Sequence, residues 1–195
     1  MTAWPRSIIG ALLLTALADA TTPPTGVPAN AQSTRAAETP TAPALTLTPT
    51  MAGELRALAH LAGAPTPRLQ GRIVVVTFFA SWCPPCVEEF RHLKAVHGAY
   101  PADRVSIIAI NLLEDWGGLS NAGRLARFLD RAAPPFTVLR GTEAISRRFG
   151  GVDRIPTLFV FDRQSKLAYR FIHRVNATKT NVTGRELRAV IDALI

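Results

Sequence analysis

Apolar positions along the chain fall into short runs and helical stripes that alternate. Ile73-Val74-Val75-Val76-Thr77-Phe78-Phe79 is a β-branched and aromatic run of the length and content of a buried strand. Val87, Phe90, Leu93 and Val96 follow at helical spacing and predict a helix running to about His97, with Gly98 as its stop. Arg104 to Asn111 is a second buried strand, and two strands separated by a helix imply a parallel pair with a right-handed crossover. Before this unit, Leu55, Leu58 and Leu61 recur by threes and predict a short helix over Met51 to Ala62, ended by Pro65 and Pro67. Gly71 then turns the chain into the first strand.

After the second strand, Leu112 to Ser120 reads as a loop carrying Glu114, Asp115, Trp116 and two glycines. Residues 121–132 form a predicted helix with Leu125, Phe128 and Leu129 inward. Pro134-Pro135 break it, Phe136 to Leu139 adds a short strand, and Glu143 to Phe149 gives a helical turn or two before Gly150-Gly151. Arg154-Ile155-Pro156-Thr157 feeds a strand over Leu158 to Phe161. Asp162 to Ser165 then turns the chain into another strand, Leu167 to Ile172. The last helix opens on a capping-box pattern, Thr183-Gly184-Arg185-Glu186, with Leu187, Val190, Ile191 and Leu194 on one face.

The first fifty residues differ in kind. Arg6 precedes an apolar run from Ile8 to Ala18, followed by the small-x-small pattern Ala18-Asp19-Ala20. At 11 residues the run is too short for a bilayer core that needs about 20. Residues 1–20 therefore read as an export signal cleaved after Ala20, with a short uncleaved anchor as the alternative. Residues 21–50 are rich in Thr, Pro and Ala and lack the large apolar side chains that would offset chain entropy, so a disordered linker is expected there. The folded domain is expected over residues 51–195.

Charge adds one question. The chain holds 19 Arg against 3 Lys and carries a net charge of +8. The arginines are scattered, with only Arg147-Arg148 adjacent, so a solvated basic surface is the simpler reading and no nucleic acid is expected. A basic face that steers an acidic partner or meets an anionic membrane is the alternative.

The chemistry gathers between the first strand and its helix. Cys83 and Cys86 are the only cysteines in 195 residues, in the run Ser81-Trp82-Cys83-Pro84-Pro85-Cys86. A strand, a two-cysteine turn and a helix together give this spacing meaning. At a helix N-terminus the first amides are unpaired and the macrodipole is positive, which stabilises a thiolate. Cys83 is thus expected to be the exposed nucleophile with a lowered pKa. Cys86, inside the first turn, is expected to be the resolving thiol. Pro84 and Pro85 suit a first turn that needs no amide hydrogens, and Trp82 is expected to cover one side of the site. In an oxidising compartment such a pair is either a staple or a working couple. A staple closing so short a loop stabilises little, which favours the couple.

Trp82-Cys83-Pro84-Pro85-Cys86 after a Phe-Phe-Ala-Ser strand end resembles the thioredoxin superfamily, and within it the membrane-tethered or periplasmic bacterial branch related to TlpA, ResA and the cytochrome c maturation thioredoxins. The resemblance covers roughly residues 65–195. It implies an α/β thioredoxin-like fold, a central mixed sheet flanked by helices, with an insert between the second strand and the cis-proline loop. Glu89 stands where this branch often carries an acidic residue beside the active site. Ile155-Pro156-Thr157 resembles the loop whose cis-proline faces the disulfide, and a cis peptide there would present the Ile155 backbone to an incoming peptide; a trans turn proline is the alternative. Trp116, in the insert, is either a partner contact or packed under its own loop. The chain departs from thioredoxin at Thr77, where that protein has a buried aspartate. A hydroxyl cannot accept the proton, so the role passes to Glu89 or to water.

Other chemistries are poorly served. His60, His92, His97 and His173 show no metal-ligand spacing with the cysteine pair. Ala80 occupies the position where a peroxidatic cysteine would have its threonine, and no phosphate-cradling glycine loop stands out. No metal and no cofactor are expected. Read as a bacterial chain, the Asn-x-Thr matches at Asn176 and Asn181 carry no weight. The expectation is a periplasmic thiol–disulfide oxidoreductase acting on disulfides of protein partners. The resemblance suggests a reductant, for heme-attachment or copper-site cysteines, recharged by a membrane electron donor. A disulfide-oxidising enzyme and a non-catalytic module that holds a partner in the Ile155-Pro156 groove are the alternatives.

Overall fold

The run from Ile73 to Phe79 becomes β2, completely buried, at the middle of a six-stranded mixed sheet in a computed structural model that describes residues 45–118, 121 and 123–195. The expected signal over residues 1–20 and the linker through residue 44 lie outside the described residues. Residues 45–50 do not wait for the expected start at 51. Leu47 is buried, Thr46 bridges Lys166, and Thr48 caps α1 (Pro49–Ala57). Threonine at the cap with proline at the first helical position is a start signal that can be read in the sequence.

The helix expected through Ala62 ends at Ala57. His60–Ala62 is instead β1, an edge strand antiparallel to β4 (Thr137–Arg140). Pairing across 70-odd positions overrides the spacing of leucines by threes. The sheet order is β1-β4-β3-β2-β5-β6, where β3 is Val105–Asn111, β5 Thr157–Phe161 and β6 Leu167–Ile172. β3 runs parallel to both β2 and β4, while β5 is antiparallel to β2 and to β6. The parallel pair with its helical crossover is as expected.

Neighbouring residues of a strand face opposite sides of the sheet. Phe78 meets Phe149, at the end of α4 (Glu143–Arg148), with ring centroids 5.1 Å apart. Phe79 meets Phe90 of α2 (Pro84–Ala99) at 4.7 Å and Phe128 of α3 (Arg124–Ala132) at 5.5 Å. The two consecutive rings therefore anchor the two helical layers. Thr77, two residues from Phe79, shares the α2 face.

The inward stripe of α2 is not the one its spacing by threes suggests. Cys86, Glu89, Phe90, Leu93 and Val96 are buried, while Val87 is 44% exposed. Each step of three falls about 60° short of a full turn, so a stripe from 87 to 96 drifts about half way round the helix. The helix also runs through Gly98 to Ala99. Pro101 stops it, forcing Tyr100 into an extended conformation with φ −127° and ψ 145°. α5 (Gly184–Asp192) is capped by the Thr183 hydroxyl at the Glu186 amide and buries Leu187 and Ile191, with Val190 and Leu194 packed partly buried beside them. No helix among the described residues is long and apolar enough to cross a membrane.

Candidate active site

The cysteine pair sits where β2 hands over to α2. Cys83 is the N-cap residue of α2, and its sulfur accepts from the Cys86 amide at 3.3 Å. Pro84 and Pro85 have no N–H, so Cys86 supplies the first amide of the helix, and that amide faces the sulfur. Cys83 and Cys86 form a disulfide. Charge on the Cys83 sulfur would be stabilised by this amide and the positive helix end.

One expectation needs correcting. Cys83 is not exposed in the disulfide form: it is 3% accessible, against 1% for Cys86. As the cap, its side chain folds back over the first turn toward the Cys86 amide and sulfur rather than out to solvent. Pro84, by contrast, is exposed, and the Pro85 carbonyl accepts from the buried Asn181 side chain at 3.3 Å.

Glu89 lies one turn beyond Cys86 on the same face of α2. It is 1% exposed, and Thr77 Oγ1 donates to its Oε1 at 2.5 Å. Its Oε2 has no hydrogen-bond partner among the described residues. Burial pushes the carboxyl up to about 7, against lowering contributions from Thr77 first and Val182 second. Thr77 Oγ1 also lies 3.5 Å from the Thr157 carbonyl. The hydroxyl can therefore donate to a Glu89 carboxylate, or accept from a protonated Glu89 while turning its hydrogen toward Thr157. The site holds either protonation state.

Ile155 and Pro156 are both buried and joined by a cis peptide. The register Phe78↔Thr157 places this loop at the end of β2 that leads into the cysteines. The His173 amide donates to the Pro156 carbonyl at 3.0 Å, tying the loop to the end of β6.

The loop after β3 is fastened to the cysteine turn by Glu114, which the sequence did not single out, and by the Trp82–Trp116 pair, which it did. The Glu114 carboxylate accepts from the Ser81 amide at 3.0 Å, from the Ser81 hydroxyl, and from Asn111 Nδ2 at 2.7 Å. Trp82 Nε1 donates to the Leu113 carbonyl at 2.9 Å. Trp82 also stacks on Trp116, with centroids 5.5 Å apart and planes 21° from parallel. Trp116 is 60% exposed, so it is not packed under its own loop. Glu114 could have been suspected as an acid in a glycine-bearing loop, but its three donors come from two separate segments that only folding unites. Among the described residues no group of three or more His, Cys, Asp or Glu side chains could hold a metal ion.

The Redoxin family model matches residues 41–189. The thiol-disulfide oxidoreductase ResA of Halalkalibacterium halodurans is 28% identical over 101 residues, 51% of this chain and 53% of that protein. The sporulation thiol-disulfide oxidoreductase A of Bacillus subtilis is 23% identical over 98 residues, 50% of this chain and 58% of that protein. The chain thus spans a little over half the length of these two relatives. Among solved structures, a thiol:disulfide interchange protein of the thioredoxin family from Chlorobium tepidum aligns with a TM-score of 0.53 at 20% identity, covering 64% of this chain and 81% of that one. This likeness shows the fold, a thioredoxin-like α/β architecture.

Proposed function

The chain belongs to the Redoxin family, and from that premise we propose that it is a thiol–disulfide oxidoreductase whose Cys83/Cys86 pair cycles between dithiol and disulfide by exchange with protein partners. The observation that carries the reading is the Cys83 sulfur at the start of α2, accepting from the first amide of the helix. In the reducing direction, the Cys83 thiolate attacks a partner disulfide, forming a mixed disulfide and releasing one partner thiolate. The Cys86 thiol passes its proton to Glu89, and its thiolate attacks the Cys83 sulfur. The internal disulfide forms and the second partner thiolate leaves, so two electrons pass to the partner. Glu89 suits the role because a carboxyl near 7 exchanges protons readily at neutral pH. Trp82, Pro84, Pro85 and the Ile155-Pro156 segment border the couple and form the substrate contact surface.

The direction proposed is reduction, in the periplasm, of cysteines awaiting heme or copper, with a membrane protein returning the electrons. It rests on likeness to the ResA group and on the Pro-Pro dipeptide, which adds no cation to favour the reduced thiolate. The test is the reduction potential of the couple, equilibrated against glutathione and dithiothreitol buffers. A value at or below about −200 mV supports the reductant, and a value near about −120 mV identifies an oxidant of folding secreted proteins. Cys83→Ser should abolish exchange while partner binding persists. A wild-type protein inert in exchange would instead be a binding module.

A further inference from the structure

A cavity of about 370 Å³ opens between α2 and α3 directly beside the redox turn. Ser81, two residues before Cys83, lies at its edge. Its floor is made by the buried rings of Phe90 and Phe128, 5.0 Å apart, and Val87 of α2 stands exposed at its wall. The size and apolar floor suit one or two apolar side chains of a ligand.

The charges around it have one sign. Arg91, Lys94 and Arg131 line the cavity, and no carboxylate does. Asp130, the adjacent acid of α3, lines a different cavity. Glu88 pairs with Arg91, but Lys94 and Arg131 form no ion pair among the described residues. Lys94 is held in place by the Ala132 carbonyl at 2.8 Å, and Arg131 is exposed. Cations left unpaired over an apolar floor form a surface complementary to an acidic chain carrying an apolar anchor.

We propose that this groove docks an acidic segment of the redox partner, with one apolar side chain seated over Phe90 and Phe128 and its carboxylates at Lys94 and Arg131. Naming the occupant as the redox partner rests on the exchange reading above. The groove would then hold the partner while its disulfide meets Cys83, raising the effective concentration of the reacting sulfurs.

The test uses the full oxidised chain and a cysteine-free, dye-labelled ten-residue peptide of aspartates and glutamates around one phenylalanine, followed by fluorescence anisotropy. Two control peptides replace the acids by lysine or the phenylalanine by glycine. The acidic peptide should bind about tenfold more tightly than either control, and Arg131→Glu should weaken it about fivefold. Lys94→Glu combined with Arg131→Glu should weaken it further. If the double variant fails to fold, Arg131→Glu alone decides, since that side chain is exposed. Equal binding of acidic and lysine peptides, indifference to the phenylalanine, or no effect of Arg131→Glu would overturn the proposal. So would a dimer that Arg131→Glu dissociates, which would make a second copy the occupant. Because the peptide has no sulfur, binding by a chain whose reduced form fails to exchange with glutathione disulfide upholds the groove and removes the exchange reading, and exchange without binding does the reverse.

Discussion

Thr77 Oγ1 donates to Glu89 Oε1 across the interface between β2 and α2, and this contact explains the departure at position 77. Where thioredoxin carries its buried acid on the strand, this chain carries it on the helix and keeps a hydroxyl on the strand to hold it. Two buried carboxylates side by side would repel one another, whereas one carboxyl and one hydroxyl form a hydrogen bond.

Glu89→Gln should change stability in a pH-dependent way. The folded protein raises this carboxyl from an ordinary value of 4.5 to about 7, so it favours the protonated form. Its contribution is fully present below about pH 4.5 and is lost as pH rises through about 7. The wild type should therefore forfeit about 3 kcal/mol over that window, and the glutamine variant should not. Urea unfolding of both oxidised proteins at pH 4.5 and pH 8 reads this directly. A difference that does not widen with pH would contradict it.

The same variant should flatten the pH profile of thiol alkylation in the reduced protein. Wild type should show an inflection near 7 from Glu89. If the two profiles coincide, Glu89 is not the proton acceptor.

Thr77→Val keeps the shape of the side chain and removes the donor. The Thr77 hydrogen bond lowers the Glu89 pKa, so the inflection should move above 7. At pH 8 the variant should lose about 1.5–3 kcal/mol, the range for a hydrogen bond to a charged group, and less at pH 5 where the carboxyl is protonated. Equal losses at both pH values would mean that only packing was disturbed.

Glu114→Ala should destabilise the fold by about 1–3 kcal/mol, because the Ser81 amide and Asn111 side chain lose their common acceptor. Glu114→Gln, which retains one acceptor oxygen, should recover part of the loss. Denaturant melts of the three proteins would show the order wild type, Gln, Ala. Alanine equal to wild type would remove the clamp from the account.

Trp116→Ala should abolish the coupled indole signal in circular dichroism while costing no more than about 1.5 kcal/mol, since only a half-exposed stack is lost. Trp82→Ala should abolish the same signal at a larger cost, because the Leu113 carbonyl also loses one of its two donors, keeping only the Trp116 amide. A signal that survives either change would mean the rings do not stack in solution.

Local sequence determined the parts of this protein that depend on neighbours in the chain. The apolar run Ile73–Phe79 had to be a buried strand, the cysteines had to fall at the start of a helix, and Pro156 had to stand before a strand. Each follows from side-chain volume, backbone freedom or missing amide hydrogens within a few residues. Long-range pairing decided the rest. His60–Ala62 became a strand because β4 offered an edge, against a leucine spacing that reads as helix. Val87 turned outward because the α2 stripe is fixed by where Phe79 and Phe128 wait for Phe90. Cys83 was drawn in from solvent by the helix turn it caps. The Ser81–Glu114 contact, the Trp82–Trp116 stack and the Thr77–Glu89 hydrogen bond join residues 12 to 34 positions apart. A local pattern carries no record of such meetings, because what brings those groups together is the burial of apolar surface elsewhere in the fold.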